Sequence, residues 1–148
     1  MAGLLAQLKA LGLSDAQIAA TTIDGKPFHD VEVITRQYRY GKYKSKAEAI
    51  YAAELDAHLR AGEILAWEYE PWSMKLTEAR VINGKTRPGV RYTPDFVVVL
   101  PDSRIRIVEV KGFQREAAIA RFKMAADRWP CFEWRMVRRK GSGWETIL

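Results

Sequence analysis

The stretch from Asp95 to Lys111 constrains the fold of this chain more than any other. Phe96 to Leu100 is a nearly continuous apolar run, Pro101-Asp102-Ser103 is turn chemistry, and Arg104 to Val110 alternates between polar and apolar residues. Two strand-like runs joined by a short turn predict an antiparallel hairpin. Asp95 and Glu109 stand equally far from Asp102 on the two arms, so a hairpin centred there sets them opposite one another. Opposed residues share a face with Cβ atoms roughly 4.5 to 5.5 Å apart. Lys111, two residues beyond Glu109, falls on that same face because side chains alternate along a strand.

Two carboxylates so close repel unless a cation lies between them, and a hard divalent ion with oxygen ligands is the natural occupant. Mg²⁺ is therefore the expected cofactor, with Mn²⁺ as a substitute. Asp95 and Glu109 are the candidate ligands, with the Val110 carbonyl as an additional one. Such an ion binds a phosphate oxygen and activates a water, while Lys111 orients or deprotonates that water or stabilises the developing charge. The plain alternative is an ordinary cross-strand ion pair contributing about 0.2 to 1 kcal/mol. Against it, Glu109 sits between Val108 and Val110, where an uncompensated buried carboxylate is costly.

Around this hairpin the chain reads as an α/β fold. Residues 1–35 are expected to form a short helical arm (Ala2 to Leu11, then Asp15 to Ala20 with Ser14 and Gln17 as a capping box) and a linker. A helix is predicted from Lys46 to Ala61, with Ser45 as N-cap, Gly62 as the stop, and Ala47, Ile50, Tyr51, Leu55 and Leu59 on its apolar face. Strands are expected over Ile64 to Glu70 and Trp72 to Leu76, with Asn83-Gly84 as a tight hairpin turn. A second helix from about Arg115 to Arg128 and a late strand from Phe132 to Val137 complete the order. That order predicts a central mixed sheet flanked by helices over residues 36–148.

The net charge of +6 leans towards polyanionic partners. In one stretch cations alternate with tyrosines, and there Arg36, Arg39, Lys42, Lys44 and Lys46 are candidate nucleic-acid contacts. The alternative for this cluster is a solvated basic loop. Cys131 is the single cysteine, and with only His29 and His58 the chain offers no zinc-ligand cluster. No uncharged apolar run approaches the roughly 18 residues of a membrane helix, so the expectation is a cytoplasmic protein that does not enter a membrane.

Taken in order, Ser45-Lys46-Ala47-Glu48, Gly62-Glu63-Ile64, Glu70-Pro71, Tyr92-Thr93-Pro94-Asp95-Phe96 and Glu109-Val110-Lys111-Gly112-Phe113 resemble the PD-(D/E)XK nuclease superfamily. Within it they are similar to a family of small phage-encoded endonucleases, some of them like junction-resolving enzymes. The resemblance covers roughly residues 36 to 137. It implies a restriction-endonuclease-like mixed sheet flanked by helices, an acidic pair that binds Mg²⁺, and a lysine that assists the attacking water, roles that fall on Asp95, Glu109 and Lys111. It also implies that Glu48 completes the metal site or binds its water, whereas the Ser45/Glu48 spacing by itself equally describes a helix cap. Gln114 is expected to begin the last helix.

The resulting expectation is a Mg²⁺-dependent endodeoxyribonuclease acting on branched or flapped phage DNA. The rival is a catalytically inactive DNA-binding or packaging-associated module on the same fold. RNA as substrate is a third reading. Junction cutting needs paired incisions, so a homodimer through the apolar N-terminal arm is the expected assembly.

Overall fold

A computed structural model of the chain describes residues 31–33, 43–112 and 115–148. The N-terminal helical arm, and with it the expected dimer contact, lies outside the described residues. So do Arg36, Arg39 and Lys42 of the basic cluster, and Gln114.

Among the described residues two helices, α1 (Lys46–Arg60) and α2 (Glu116–Arg128), accompany ten strands: β1 (Val31–Val33), β2 (Ala66–Tyr69), β3 (Trp72–Lys75), β4 (Arg80–Ile82), β5 (Lys85–Arg87), β6 (Arg91–Tyr92), β7 (Phe96–Val99), β8 (Ile105–Lys111), β9 (Glu133–Lys140) and β10 (Gly143–Thr146). The main sheet has the order β10-β9-β8-β7-β2. Its β8–β9 pair is parallel and its other pairs are antiparallel. The parallel pair requires a crossover, and α2 supplies it. A smaller antiparallel sheet, β1-β3-β6, and an isolated β4–β5 ribbon complete the fold. This is the mixed sheet with helices anticipated from the order of elements.

The centre of the main sheet is buried on both faces, which is why β7 reads Phe-Val-Val-Val and every one of those residues is buried. Val97, Val99, Ile105 and Ile107 join Phe122 and Ala125 of α2 and Trp72 and Met74 of β3 in one core cluster. Phe96, Val98, Val108 and Val110 join Ala52 and Leu55 of α1 in the other. The alternation of side chains along each strand thus feeds two cores.

The β7–β8 hairpin pairs Phe96 with Val108 and Val99 with Ile105, which is the register that a centre at Asp102 dictates. At the Asn83-Gly84 turn both residues adopt left-handed backbone, φ 49° and 70°, as a primed two-residue hairpin turn demands.

Three expectations need correction. The apolar face assigned to α1 is right at Leu55 and at Ala47 and Tyr51, which pack against the same core, but Leu59 is exposed, and Glu48 and Ala52 are buried beside them. Counting apolar residues missed Glu48 because it is a carboxylate on a buried stripe. The late strand is longer than Phe132 to Val137, since β9 runs to Lys140 and turns through Gly141 (φ 59°) into β10. The short β6 was not anticipated at all. Two residues are too few to leave a periodic signal, and their pairing with β3 is decided by tertiary contact.

Candidate active site

The hairpin register places Asp95 one step beyond the Phe96–Val108 pair, opposite Glu109. On its other side, β2 pairs Tyr69 with Phe96, and one further step sets Glu70 beside Asp95, where the Glu70 N–H donates to the Asp95 carbonyl at 2.8 Å. Glu70, Asp95 and Glu109 therefore form a row across three neighbouring strands. Continuing the row onto β9 gives Met136, the parallel partner of Glu109.

A cavity of about 180 Å³ opens at this row, lined by Glu48, Asp95, Glu109, Val110, Lys111 and Gly112 and closed by Ala118, Ile119 and Met136. The α2 residues Ala118 and Ile119 make one wall apolar, so the site is shielded from bulk water on that side. A larger hollow of about 640 Å³ lies at the turn end of the hairpin, around Arg104, Arg106 and Arg135. It holds none of the carboxylates of the row, whereas Asp95 and Glu109 line the smaller cavity.

Each acidic side chain is held by a specific partner. Asp95 is buried, and its Oδ2 accepts a 2.8 Å hydrogen bond from the Val110 N–H. Val110 thus contributes to the site through its amide. Glu109 Oε2 accepts from the Tyr92 hydroxyl at 2.8 Å. Glu48 Oε2 accepts from the Tyr69 hydroxyl at 2.6 Å and from the Lys44 N–H at 3.0 Å. The Glu48 N–H also donates to Ser45 Oγ at 3.1 Å, so its backbone and its side chain both tie the start of α1, and the residue lines the cavity as well.

Electrostatics follow from this crowding. Burial, and then the neighbouring Glu109 carboxylate, push the Asp95 carboxyl up to about 8, against the opposing pull of the Val110 N–H. Burial likewise raises the Glu109 carboxyl to about 7, with the Tyr92 hydrogen bond opposing and Glu48 and Glu70 adding to it. The Tyr92 hydroxyl is held well above its ordinary value, by burial and by Glu109. A site this rich in negative charge favours a cation.

Two cations are near. Lys111 is buried and lines the cavity. Lys44, expected as a nucleic-acid contact, forms an ion pair with Glu70 and so braces the acidic row. Lys46, the other candidate contact among the described residues, is exposed at the first turn of α1.

Glu70 was missed as a site residue, although Glu70-Pro71 was noted as a motif. It is almost fully buried and adopts φ 44°, a left-handed conformation that costs a non-glycine residue on the order of 1 kcal/mol or more. A glutamate before proline at a strand end was the available signal. Tyr92 and Tyr69 were also missed as carboxylate partners, because an aromatic residue in a strand reads equally well as core.

Among the described residues, no three aspartate, glutamate, histidine or cysteine side chains form a ready-made metal cage. The donor set still fits Mg²⁺, which characteristically takes one or two carboxylates and completes its shell with water and substrate phosphate. Asp95 and Glu109 are the pair that would hold it.

No curated protein and no solved structure matches this chain. A family match spans residues 30–141, from the start of β1 through the acidic row and both helices to the end of β9. The chain belongs to the family described as "Protein of unknown function (DUF1064)".

Proposed function

We propose that this protein is a metal-dependent endonuclease that hydrolyses DNA phosphodiester bonds on a restriction-endonuclease-like fold. The observation that carries this reading is the conjunction of two facing carboxylates, the buried Asp95 and the half-buried Glu109, with the buried Lys111 in one small cavity. An ordinary structural ion pair needs one carboxylate and one exposed cation; three ionisable groups gathered largely out of water are costly unless a ligand completes them.

Asp95 and Glu109 would hold Mg²⁺, with Mn²⁺ able to replace it. The ion would supply Lewis-acid polarisation of a phosphate oxygen and a water of lowered pKa. The protein's own groups divide the remaining work. The Val110 N–H fixes the Asp95 carboxylate, and the Tyr92 hydroxyl fixes that of Glu109, so neither rotates away from the cavity. Lys111 donates hydrogen bonds to the phosphate oxygens as negative charge accumulates there. Glu48 faces the same space and orients the attacking water. Hydrolysis forms a bond from the water oxygen to phosphorus and breaks the bond from phosphorus to the sugar oxygen, which leaves protonated. The Ala118 and Ile119 wall limits water access and strengthens each of these interactions.

Branched or flapped DNA is the substrate shape we propose. The test is cleavage of labelled linear duplex, single-stranded, flapped and four-way-junction DNA with Mg²⁺, with Mn²⁺ and with EDTA, beside Lys111→Ala. Metal-dependent products that fall on the order of 100-fold or more in the variant are expected. Binding without cleavage on every substrate, RNA included, would instead identify an inactive binding module.

A further inference from the structure

The β4–β5 ribbon belongs to neither core. Every residue of both strands is exposed, and Val81 and Ile82 show 70% and 58% of their surface to solvent. A two-stranded ribbon alone is marginally stable, and exposed strand edges with apolar side chains invite aggregation. A bare ribbon of this kind therefore needs a reason to be kept.

Its register supplies one. Arg80 pairs with Arg87 and Ile82 with Lys85, so alternation places Arg80, Ile82, Lys85 and Arg87 on one face. Like charges directly opposite destabilise a strand pair, and Arg80 and Arg87 are such a pair. No aspartate or glutamate occurs from Ala79 to Pro94, and Glu78 at the root is paired with Lys75. The face is cationic with no acidic neighbour in the ribbon to neutralise it.

The root of the ribbon is fixed. A Cβ on Gly89 would lie 2.0 Å from the Thr77 carbonyl oxygen, so the two returning strands close at a point only glycine fits. The Val90 N–H donates to Thr77 Oγ1 at 2.8 Å and the Leu76 N–H to the Val90 carbonyl at 2.8 Å. The chain then runs through β6, whose Tyr92 holds Glu109, directly to Asp95. The ribbon is thus tied at its root to the segment that leads into the acidic row.

We infer that the β4–β5 ribbon is a groove-binding element that seats duplex DNA beside the active site, with Arg80, Lys85 and Arg87 facing phosphates and base edges. This rests on the nuclease reading and deepens it. The major groove admits a two-stranded ribbon, the cationic face matches the polyanion, and the exposed Ile82 on that same face suits contact with thymine methyl groups.

The test compares the full chain with R80Q/K85Q/R87Q and with a control that removes equal charge at exposed positions elsewhere, R60Q/K123Q/K140Q. Binding to a duplex and to a single-stranded oligonucleotide is measured in EDTA across a salt series, and cleavage is measured in Mg²⁺. Because the ribbon lies outside both cores, thermal melting of its variant should match that of the unmodified chain. The ribbon variant is expected to lose at least tenfold in duplex affinity, and its slope of log affinity against log salt should fall by roughly 2 to 3. The control should change both less, and single-strand binding should be little affected. Affinity and slope equal to those of the unmodified protein would overturn the ribbon assignment while leaving the nuclease reading intact, provided cleavage persists. So would equal losses in the control, or on single strands. If the unmodified protein neither binds nor cuts any nucleic acid, the nuclease reading fails first and the ribbon assignment with it.

Discussion

The two ends of the β7–β8 hairpin use the same kinds of charged residue to opposite effect. At the turn end one carboxylate is shared by three guanidinium groups: Glu133 accepts from Arg106 at 2.8 Å and pairs with Arg135 at 2.7 Å and Arg104 at 3.3 Å. Burial pushes the Glu133 carboxyl up, but the three arginines outweigh it and hold it below its ordinary value. At the open end, carboxylates face carboxylates: burial and then the Glu109 carboxylate raise Asp95, while burial with the Glu48 and Glu70 carboxylates raises Glu109. The first arrangement is satisfied by the protein alone. The second leaves carboxylates crowded against one another in a largely buried place, the perturbation that marks a candidate site rather than a structural ion cluster.

The comparison is most sharply broken by removing a carboxylate from the open end. Asp95→Ala or Glu109→Ala should lower cleavage by about a thousandfold or more while leaving DNA affinity within a few-fold, since under the proposed function these groups would hold the ion rather than the phosphate backbone. Turnover near that of the unmodified protein in either variant would show that the row is structural.

The next largest effect is on stability and has the opposite sign. Asp95→Asn keeps an acceptor for the Val110 N–H and removes the buried charge, so the metal-free protein should melt roughly 3 to 6 °C higher at pH 8. A carboxyl whose folded pKa is raised contributes stability at low pH that is lost as pH rises through the folded value. The gain should therefore shrink at pH 5, and Mg²⁺ should narrow it at pH 8 by stabilising the unmodified protein. Melting curves in EDTA at the two pH values, repeated with Mg²⁺, decide this; an asparagine variant that melts lower at pH 8 would contradict the crowding described here.

At the turn end, Glu133→Gln should cost about 1 kcal/mol at neutral pH, because three arginines lose their shared anion at a partly exposed position. Its depressed pKa means that this contribution is present above the ordinary carboxylate range and lost as pH falls through the folded value. The cost should vanish in acid, the reverse of the pH dependence at Asp95. Urea titrations at pH 7 and pH 3.5 read it directly, and a cost that persists at the lower pH would point to packing instead of charge.

The smallest effect is expected at Tyr92→Phe. Loss of the hydroxyl leaves Glu109 less well oriented, so cleavage should fall about tenfold and the decrease should appear in kcat with little change in KM. A change confined to KM would assign Tyr92 to substrate contact.

Sequence alone determined the heart of this site. A hairpin's register is fixed by its turn, so Asp102 at the centre was enough to set Asp95 against Glu109 and to put Lys111 on the same face. The β7–β8 pairing bears out that register. The N-cap at Ser45, the primed turn at Asn83-Gly84 and the mixed sheet with helices were legible for the same reason, since each depends on residues close together in the chain. The tertiary structure decided the rest. Glu70 joins the row only because β2 lies beside β7, and Tyr92 reaches Glu109 only because the small sheet docks where it does. Glu48 faces the cavity because the buried stripe of α1 begins with a carboxylate, a choice no helical pattern announces. Lys44 turned out to brace Glu70. These contacts join segments far apart in sequence, and their energies depend on burial, which a local pattern of residue types does not encode.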